Sequence, residues 1–358
     1  MSNFEKTIKR RHTAGLFILV FAGVIPAIAG QLGTLVVVGD SLSAGFQNGV
    51  LRGCQQLKGY ANLVATQAGS PLILPLIQDP GVGPGLPPNI QPGFRVSPLT
   101  QATDLAVPGQ TVGQALTMTP YFNNPDGFPF YTPTVPEDGA QIMTNLVLGY
   151  PGFFAFPKVA LSQVQWANAL QPQTIIVWLG SNDVIGVFEG VQSRITDPGT
   201  FAKNLDRVLS ALVANNRTIL IANIPDVTLL PFMAPFLNQD PTLKPALQGI
   251  VLAYNSTIQV LASSYGIPMV DIYSLVNDLA AKGVVVRGQR LTTQHGGGLF
   301  SFDDIHASDT GYAILANEFI KTMNRRLGTD IPPVNLVQVA ANDPFIPGNN
   351  VPPCTTNP

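Results

Sequence analysis

Four short, strongly apolar and largely β-branched runs constrain what this chain can become: Thr34 to Val38, Thr174 to Leu179, Thr218 to Ile224 and Pro268 to Ile272, with a weaker fifth at Asp104 to Val107. Their apolar residues are continuous rather than alternating, and turn residues bound them, which suits strands covered on both faces. Helical spacing fills the intervals, as in Phe201, Leu205, Val208, Leu209 and Leu212, and again in Tyr312, Leu315, Ala316, Phe319, Ile320 and Met323. The alternation predicts an α/β fold of the flavodoxin-like, doubly wound kind, with about five mostly parallel strands and helices on both faces. In such sheets ligand chemistry sits outside the carboxyl ends of the strands.

With 358 residues, 46% of them hydrophobic, the chain has material for a well-buried core. Charged residues make up only 11% and the net charge is −2, so the clustered Lys and Arg that a nucleic-acid partner requires are missing. Two stretches break the alternation. Residues 70 to 100 are rich in Pro and Gly; residues 119 to 157 combine Pro and Gly with Tyr121, Phe122, Phe128, Phe130, Tyr131, Phe153, Phe154 and Phe156. Loops of this length in a compact domain are functional or disordered, and the aromatic density of the second argues for order. Its rings either wall an apolar ligand pocket or fill the core beneath an insertion, the latter being the expectation here.

Lys6, Lys9, Arg10 and Arg11 precede an apolar run from Leu16 to Ile25, then Pro26 and the small-residue triplet Ala27, Ile28, Ala29. That order is the three-region pattern of a secretory signal peptide. The run is too short for a spanning helix, which needs about 20 apolar residues. The expectation is therefore a signal peptide at 1–29, one large domain at 30–330 and an irregular C-terminal surface strap at 331–358, the mature protein being secreted or periplasmic. Removing residues 1–29 takes four basic side chains and Glu5, leaving a net charge of −5. Two cysteines, Cys54 and Cys354, stand near opposite ends of the mature chain and are candidates for one disulfide in an oxidising compartment; two free thiols are the alternative.

Histidine is scarce. His12 falls in the signal segment, so His295 and His306 are the candidates for a general base near neutral pH. His306 ends Ser301-Phe302-Asp303-Asp304-Ile305-His306, and an Asp three residues before an imidazole can meet its Nδ1 in a tight loop. His295 has no acid within three residues. At the other end of the chain, Gly39-Asp40-Ser41-Leu42 puts a serine just past a buried strand, at the start of a helix, where backbone N–H groups favour developing negative charge. Taken alone, that serine reads equally well as a helix N-cap.

Gly39-Asp40-Ser41-Leu42 resembles the nucleophile block of the GDSL family, the SGNH hydrolases, and three further blocks follow in the family's order. They are Asp104-Leu105-Ala106-Val107-Pro108-Gly109, Gly180-Ser181-Asn182-Asp183 and Asp303-Asp304-Ile305-His306. The resemblance implies Ser41 as nucleophile, His306 as general base and acid, and Asp303 as its orienting carboxylate. It implies an oxyanion hole made of the Ser41 N–H, the Gly109 N–H and the Asn182 side-chain amide, with no metal and no organic cofactor. Asp40 and Asp183 are expected to hold the turns that carry Ser41 and Asn182, and Asp304 to be solvated.

The function so implied is ester hydrolysis through an acyl-enzyme by a secreted esterase or lipase, lysophospholipases included. The partners are a small-molecule or lipid ester and, transiently, a lipid interface; the chain is expected to be a monomer. A carbohydrate acetylesterase would use the same machinery. From another class, a metal-dependent phosphoesterase would use Asp40, Asp183, Asp303, Asp304 and His306 as ligands.

Overall fold

The computed structural model describes residues 30–86, 89, 91, 93–121, 138–213 and 217–352. The signal segment 1–29, the aromatic residues Phe122, Phe128, Phe130 and Tyr131, and Cys354 lie outside the described residues.

The predicted runs form one parallel sheet of four strands, β1 (Leu35–Gly39), β2 (Thr174–Trp178), β3 (Thr218–Ala222) and β4 (Met269–Val270), in that spatial order. Register is tight: Val37 pairs with Ile176 and Ile176 with Leu220. Every residue of β1 and β2 is buried, as continuous apolar runs require when helices cover both faces. The fifth run is not a strand. Asp104 makes only an isolated parallel bridge to Val37, although Leu105 and Val107 donate to Val37 and Gly39. The Gly39 N–H that would extend the ladder to this segment donates instead to Gln163 Oε1, and on the outer edge the Asp104 carboxyl occupies the Ala106 N–H. Counting this segment, the order is that of a flavodoxin-like sheet.

One face is covered by the helices Tyr60–Ala68 and Asp309–Leu327, locked by the rings of Tyr60 and Phe319 stacked at 4.5 Å, with Trp178 of β2 edge-on to Tyr60 at 5.3 Å. The other face carries Pro198–Leu212 and Leu243–Ser264, joined by Phe201 stacked on Tyr254 at 3.9 Å. Pro198–Leu212 starts where the sequence dictates: Asp197 accepts from Thr200 N–H and Pro198 opens the first turn. An antiparallel hairpin, β5 (Val284–Val286) and β6 (Gln289–Leu291), was not expected. Its two-residue turn, Arg287-Gly288, has positive φ at both positions, 53° and 78°, the geometry that matches strand twist.

Two expectations about the irregular segments change. Phe154 is 61% exposed and Phe156 fully exposed, so these rings do not fill the core. The segment after residue 330 is not a superficial strap: it contains the helix Leu336–Ala341 and buries Ile331, Val334, Ala340, Asp343 and Phe345. Near the end of the segment 70–100, Arg95 is anchored by its buried guanidinium, which donates to Val147 O and Thr100 O. Among the described residues no helix is long and apolar enough to cross a membrane.

Candidate active site

Ser41 begins the one-turn helix Ser41–Ala44 directly after β1. Asp40 caps it, its Oδ1 accepting from Leu42 N–H at 3.1 Å, as expected of a residue that holds this turn. Gly45, at φ 73°, ends it in a left-handed conformation that only glycine adopts without strain, and the chain doubles back so that Phe46 N–H reaches Ser41 O at 3.0 Å.

The four residues that follow dock one after another on the loop carrying His306. Phe46 O accepts from Tyr312 Oη at 2.7 Å, and its ring lies 4.7 Å from the His306 ring. Gln47 Nε2 donates to Ala307 O at 3.0 Å, Asn48 N–H to Ser301 Oγ at 3.0 Å, and Gly49 N–H to Asp303 Oδ2 at 2.9 Å. The first and last sequence blocks, far apart along the chain, are thereby joined.

Within the loop, Asp303 Oδ2 meets His306 Nδ1 at 2.9 Å. Its Oδ1 accepts from Ser301 Oγ, Ile305 N–H and His306 N–H at 3.0, 3.0 and 2.8 Å. Burial alone would raise the Asp303 pKa, but the charge of His306 and these donors outweigh it and hold the carboxyl well below its usual range. Burial likewise favours neutral His306; Asp303 first, then Glu189 and Asp40, reverse that and leave its pKa raised. His306 Nε2 is buried with no hydrogen-bond partner among the described residues. Ser41 and His306 therefore stand in adjoining turns without a hydrogen bond between them; such contacts commonly tighten only around substrate.

The expected oxyanion donors come from two further loops. Asn182 sits in the short helix Ser181–Ile185 after β2, and its Nδ2 donates to Gln110 O at 3.2 Å, leaving the second N–H of that amide for another acceptor. Gly109, at φ 81°, holds a conformation that strains other residues, and its carbonyl is fixed by Gln192 Nε2 at 2.8 Å.

Sequence reasoning missed the group that ties these pieces together. Gln163, fully buried, pairs both ends of its amide with the backbone of Gly39, at 2.9 and 3.0 Å, and donates to Gln110 Oε1 at 2.6 Å. Gln110 in turn donates to Thr144 Oγ1. The end of β1, the Gly109 turn and Asn182 thus share one amide network. A lone Gln in a helix carries no sequence signal for such a role.

Asp183 has the structural role expected of it: its Oδ2 accepts from Val112 N–H at 2.9 Å, fastening the Asn182 helix to the Gly109 loop. Asp304 is not simply solvated: both carboxyl oxygens lie 2.8 Å from His295 Nδ1, an exposed second pair. Burial pushes Asp40, Asp104 and Asp183 each up to about 7. Among the described residues no three His, Cys, Asp or Glu side chains cluster to hold a metal ion. A cavity of about 500 Å³ lies beside Asp183, Gln114 and Asp197, and another of about 420 Å³ between Leu230, Lys244 and Gln294; neither is lined by Ser41, Asp303 or His306.

A parallel sheet whose strand ends and the loop before the helix Asp309–Leu327 carry these four blocks, in the order Gly39, Gly109, Asn182, His306, is the α/β fold of the SGNH hydrolases. The chain belongs to the GDSL-like Lipase/Acylhydrolase family, whose profile matches residues 35–319, and is an ester-bond hydrolase. No curated protein sequence matches it. Similar solved structures include a lipase/acylhydrolase from Enterococcus faecalis, 12% identical with TM-score 0.41, covering 84% of this chain and 98% of that one. An acetyl xylan esterase from Geobacillus stearothermophilus is 14% identical, TM-score 0.42, covering 83% and 96%. A psychrotrophic esterase from Pseudoalteromonas sp. is 15% identical, TM-score 0.39, covering 83% and 99%.

Proposed function

We propose that the protein is an exported serine esterase that hydrolyses carboxylic esters through an acyl-enzyme on Ser41. The observation that carries this reading is the Asp303–His306 pair at 2.9 Å, its Nε2 left unpaired beside the turn of Ser41. His306 Nε2 takes the proton of Ser41 Oγ as that oxygen bonds to the ester carbonyl carbon, and the carbonyl π-electrons move to oxygen. The N–H groups of Ser41 and Gly109 and the Asn182 amide hold the oxyanion, donors of this kind contributing about 3 to 4 kcal/mol each. The tetrahedral adduct collapses, expelling the alcohol oxygen, which takes the proton from His306. Water then repeats the sequence, giving up a proton to His306 and releasing the acid from Ser41.

Export is supported by the signal-like order of residues 1–29 and by Cys54, which is buried and disulfide-bonded, a state that belongs to an oxidising compartment. Aliphatic and lipid esters are the proposed substrates. Ser41→Ala should abolish turnover of p-nitrophenyl esters while melting like the wild type, and an organophosphonate should add to Ser41 by mass spectrometry. Near-normal turnover in Ser41→Ala would refute the assignment. Rates from acetate to palmitate settle the acyl group, a sharp acetate optimum pointing instead to sugar deacetylation.

A further inference from the structure

One carboxyl group beside the site has no place in the triad, the oxyanion hole or the amide network. Glu189 lies on the turn that follows the Asn182 helix, closed by Val191 N–H and Gln192 N–H on Gly186 O at 2.9 and 3.0 Å. Both flanks of this turn touch the machinery. On one side, Val191 Cβ lies 3.7 Å from where a Cβ on Gly109 would be, and Gln192 holds the Gly109 carbonyl. On the other, the Phe188 ring packs edge-on to Phe236 at 5.1 Å, Phe236 packs on Phe232 at 5.5 Å, and Phe232 N–H donates to Asp304 O at 3.2 Å, beside Asp303. The turn therefore spans from the oxyanion side to the His306 loop, with Glu189 between.

The residue keeps partial access to solvent, and its carboxyl makes no hydrogen bond or ion pair with any described residue. Loss of water around the carboxyl pushes its pKa up to about 7; the charges acting on it are those of His306, which lowers it, and Asp303, which raises it. No lysine or arginine is among them. Acids also dominate around His306 itself, where Asp303, Glu189 and Asp40 act together. A partly desolvated carboxylate with His306 as its cationic neighbour and no lysine or arginine beside it gains from a ligand that brings a further positive charge, and aromatic faces add to the attraction for a cation. The imidazole delivers its proton to the leaving oxygen, so a group near His306 is a neighbour of the alcohol portion.

We propose that Glu189, with the Phe188–Phe236 wall, recognises the alcohol portion of the ester and selects alcohols that carry a positive charge, of the quaternary ammonium kind. This rests on the acyl-enzyme reading with Ser41.

The test compares kcat/KM for acetylcholine and its uncharged isostere 3,3-dimethylbutyl acetate at pH 8, in the wild type, Glu189→Gln and Glu189→Asp. The wild type should prefer the cationic ester by about tenfold or more, the size expected of a desolvated cation–carboxylate and cation–aromatic contact. Glu189→Gln should bring the ratio close to one, mainly through KM for acetylcholine, and Glu189→Asp should keep part of it. Absence of a wild-type preference overturns the proposal. Equal losses on both esters in Glu189→Gln overturn it too, since a merely structural residue acts on both alike. Turnover surviving in Ser41→Ala would instead bring down the underlying reading, so the two failures are told apart.

Discussion

Replacing Asp303 with Asn probes the centre of the site with a change of one atom. Three donors converge on Oδ1, namely Ser301 Oγ, Ile305 N–H and His306 N–H, so the asparagine oxygen will take that position and its NH2 will take that of Oδ2. The NH2 then faces Gly49 N–H, a donor, and His306 Nδ1. Gly49 loses its acceptor, and a hydrogen bond to a charged group is worth about 1.5 to 3 kcal/mol, so unfolding stability should fall by about 2 to 4 kcal/mol. Nδ1 must become an acceptor, which moves the imidazole proton to Nε2 and removes the base. A triad in the wrong tautomer loses about 10⁴-fold in turnover, roughly 5 kcal/mol of barrier. Initial rates on p-nitrophenyl acetate at pH 8 and urea denaturation measure the two quantities. Acid titration adds a third reading. Asp303 is held below its unfolded pKa of about 3.9, so its stabilisation is complete above that pH and lost as pH falls toward the folded value; the variant should lack that share of acid sensitivity. Turnover within tenfold of the wild type, in a variant that melts normally, would refute the roles given to both residues.

Other outcomes follow from the same contacts. Gln163→Leu leaves Gly39 N–H and Gln110 Oε1 buried without their partner, at about 1 to 3 kcal/mol each, so stability should fall by about 2 to 6 kcal/mol and kcat should drop more than KM rises; chemical denaturation and steady-state kinetics read both. Asp104→Asn should flatten the loss of stability between about pH 4 and 7, because the unfolded carboxyl ionises near 3.9 while the folded one holds its proton to about 7; melts at pH 5 and pH 8 compare the variant with the wild type. His295→Ala breaks only an exposed pair and should change ester turnover less than twofold; a loss like that of His306→Ala in the same assay would reverse the choice between the two histidines.

The chemistry was legible in the sequence wherever it rides on short local geometry. Ser41 follows a run that must be a buried strand, and Asp303 reaches His306 because a spacing of three in a tight loop brings Nδ1 to the carboxyl. The sheet was legible for the same reason, continuous apolar runs allowing little else. What could not be read depends on partners distant in the chain. Gln163 meets Gly39 across 124 positions, Asp304 finds His295 by a fold of the loop between them, and Asn255 clamps the Ile224 backbone from both sides across 31. The edge segment at Asp104 read as a strand because Leu105, Ala106 and Val107 are apolar and buried, yet the Gly39 N–H that would extend its ladder is taken by Gln163, a partner no local pattern reveals.

The bracing by Gln110, Gln163 and Gln192 is uncharged, and an amide neither gains nor loses a proton across the range in which an imidazole works. The same frame has two members that do titrate: Asp40, which caps the turn of Ser41, and Asp183, which fastens the Gly109 loop, both raised by burial to about 7. Among these five bracing side chains, acidity therefore reaches the scaffold through two only, and an engineer wishing to stiffen it against a change of medium has two positions to edit while the amides stay untouched.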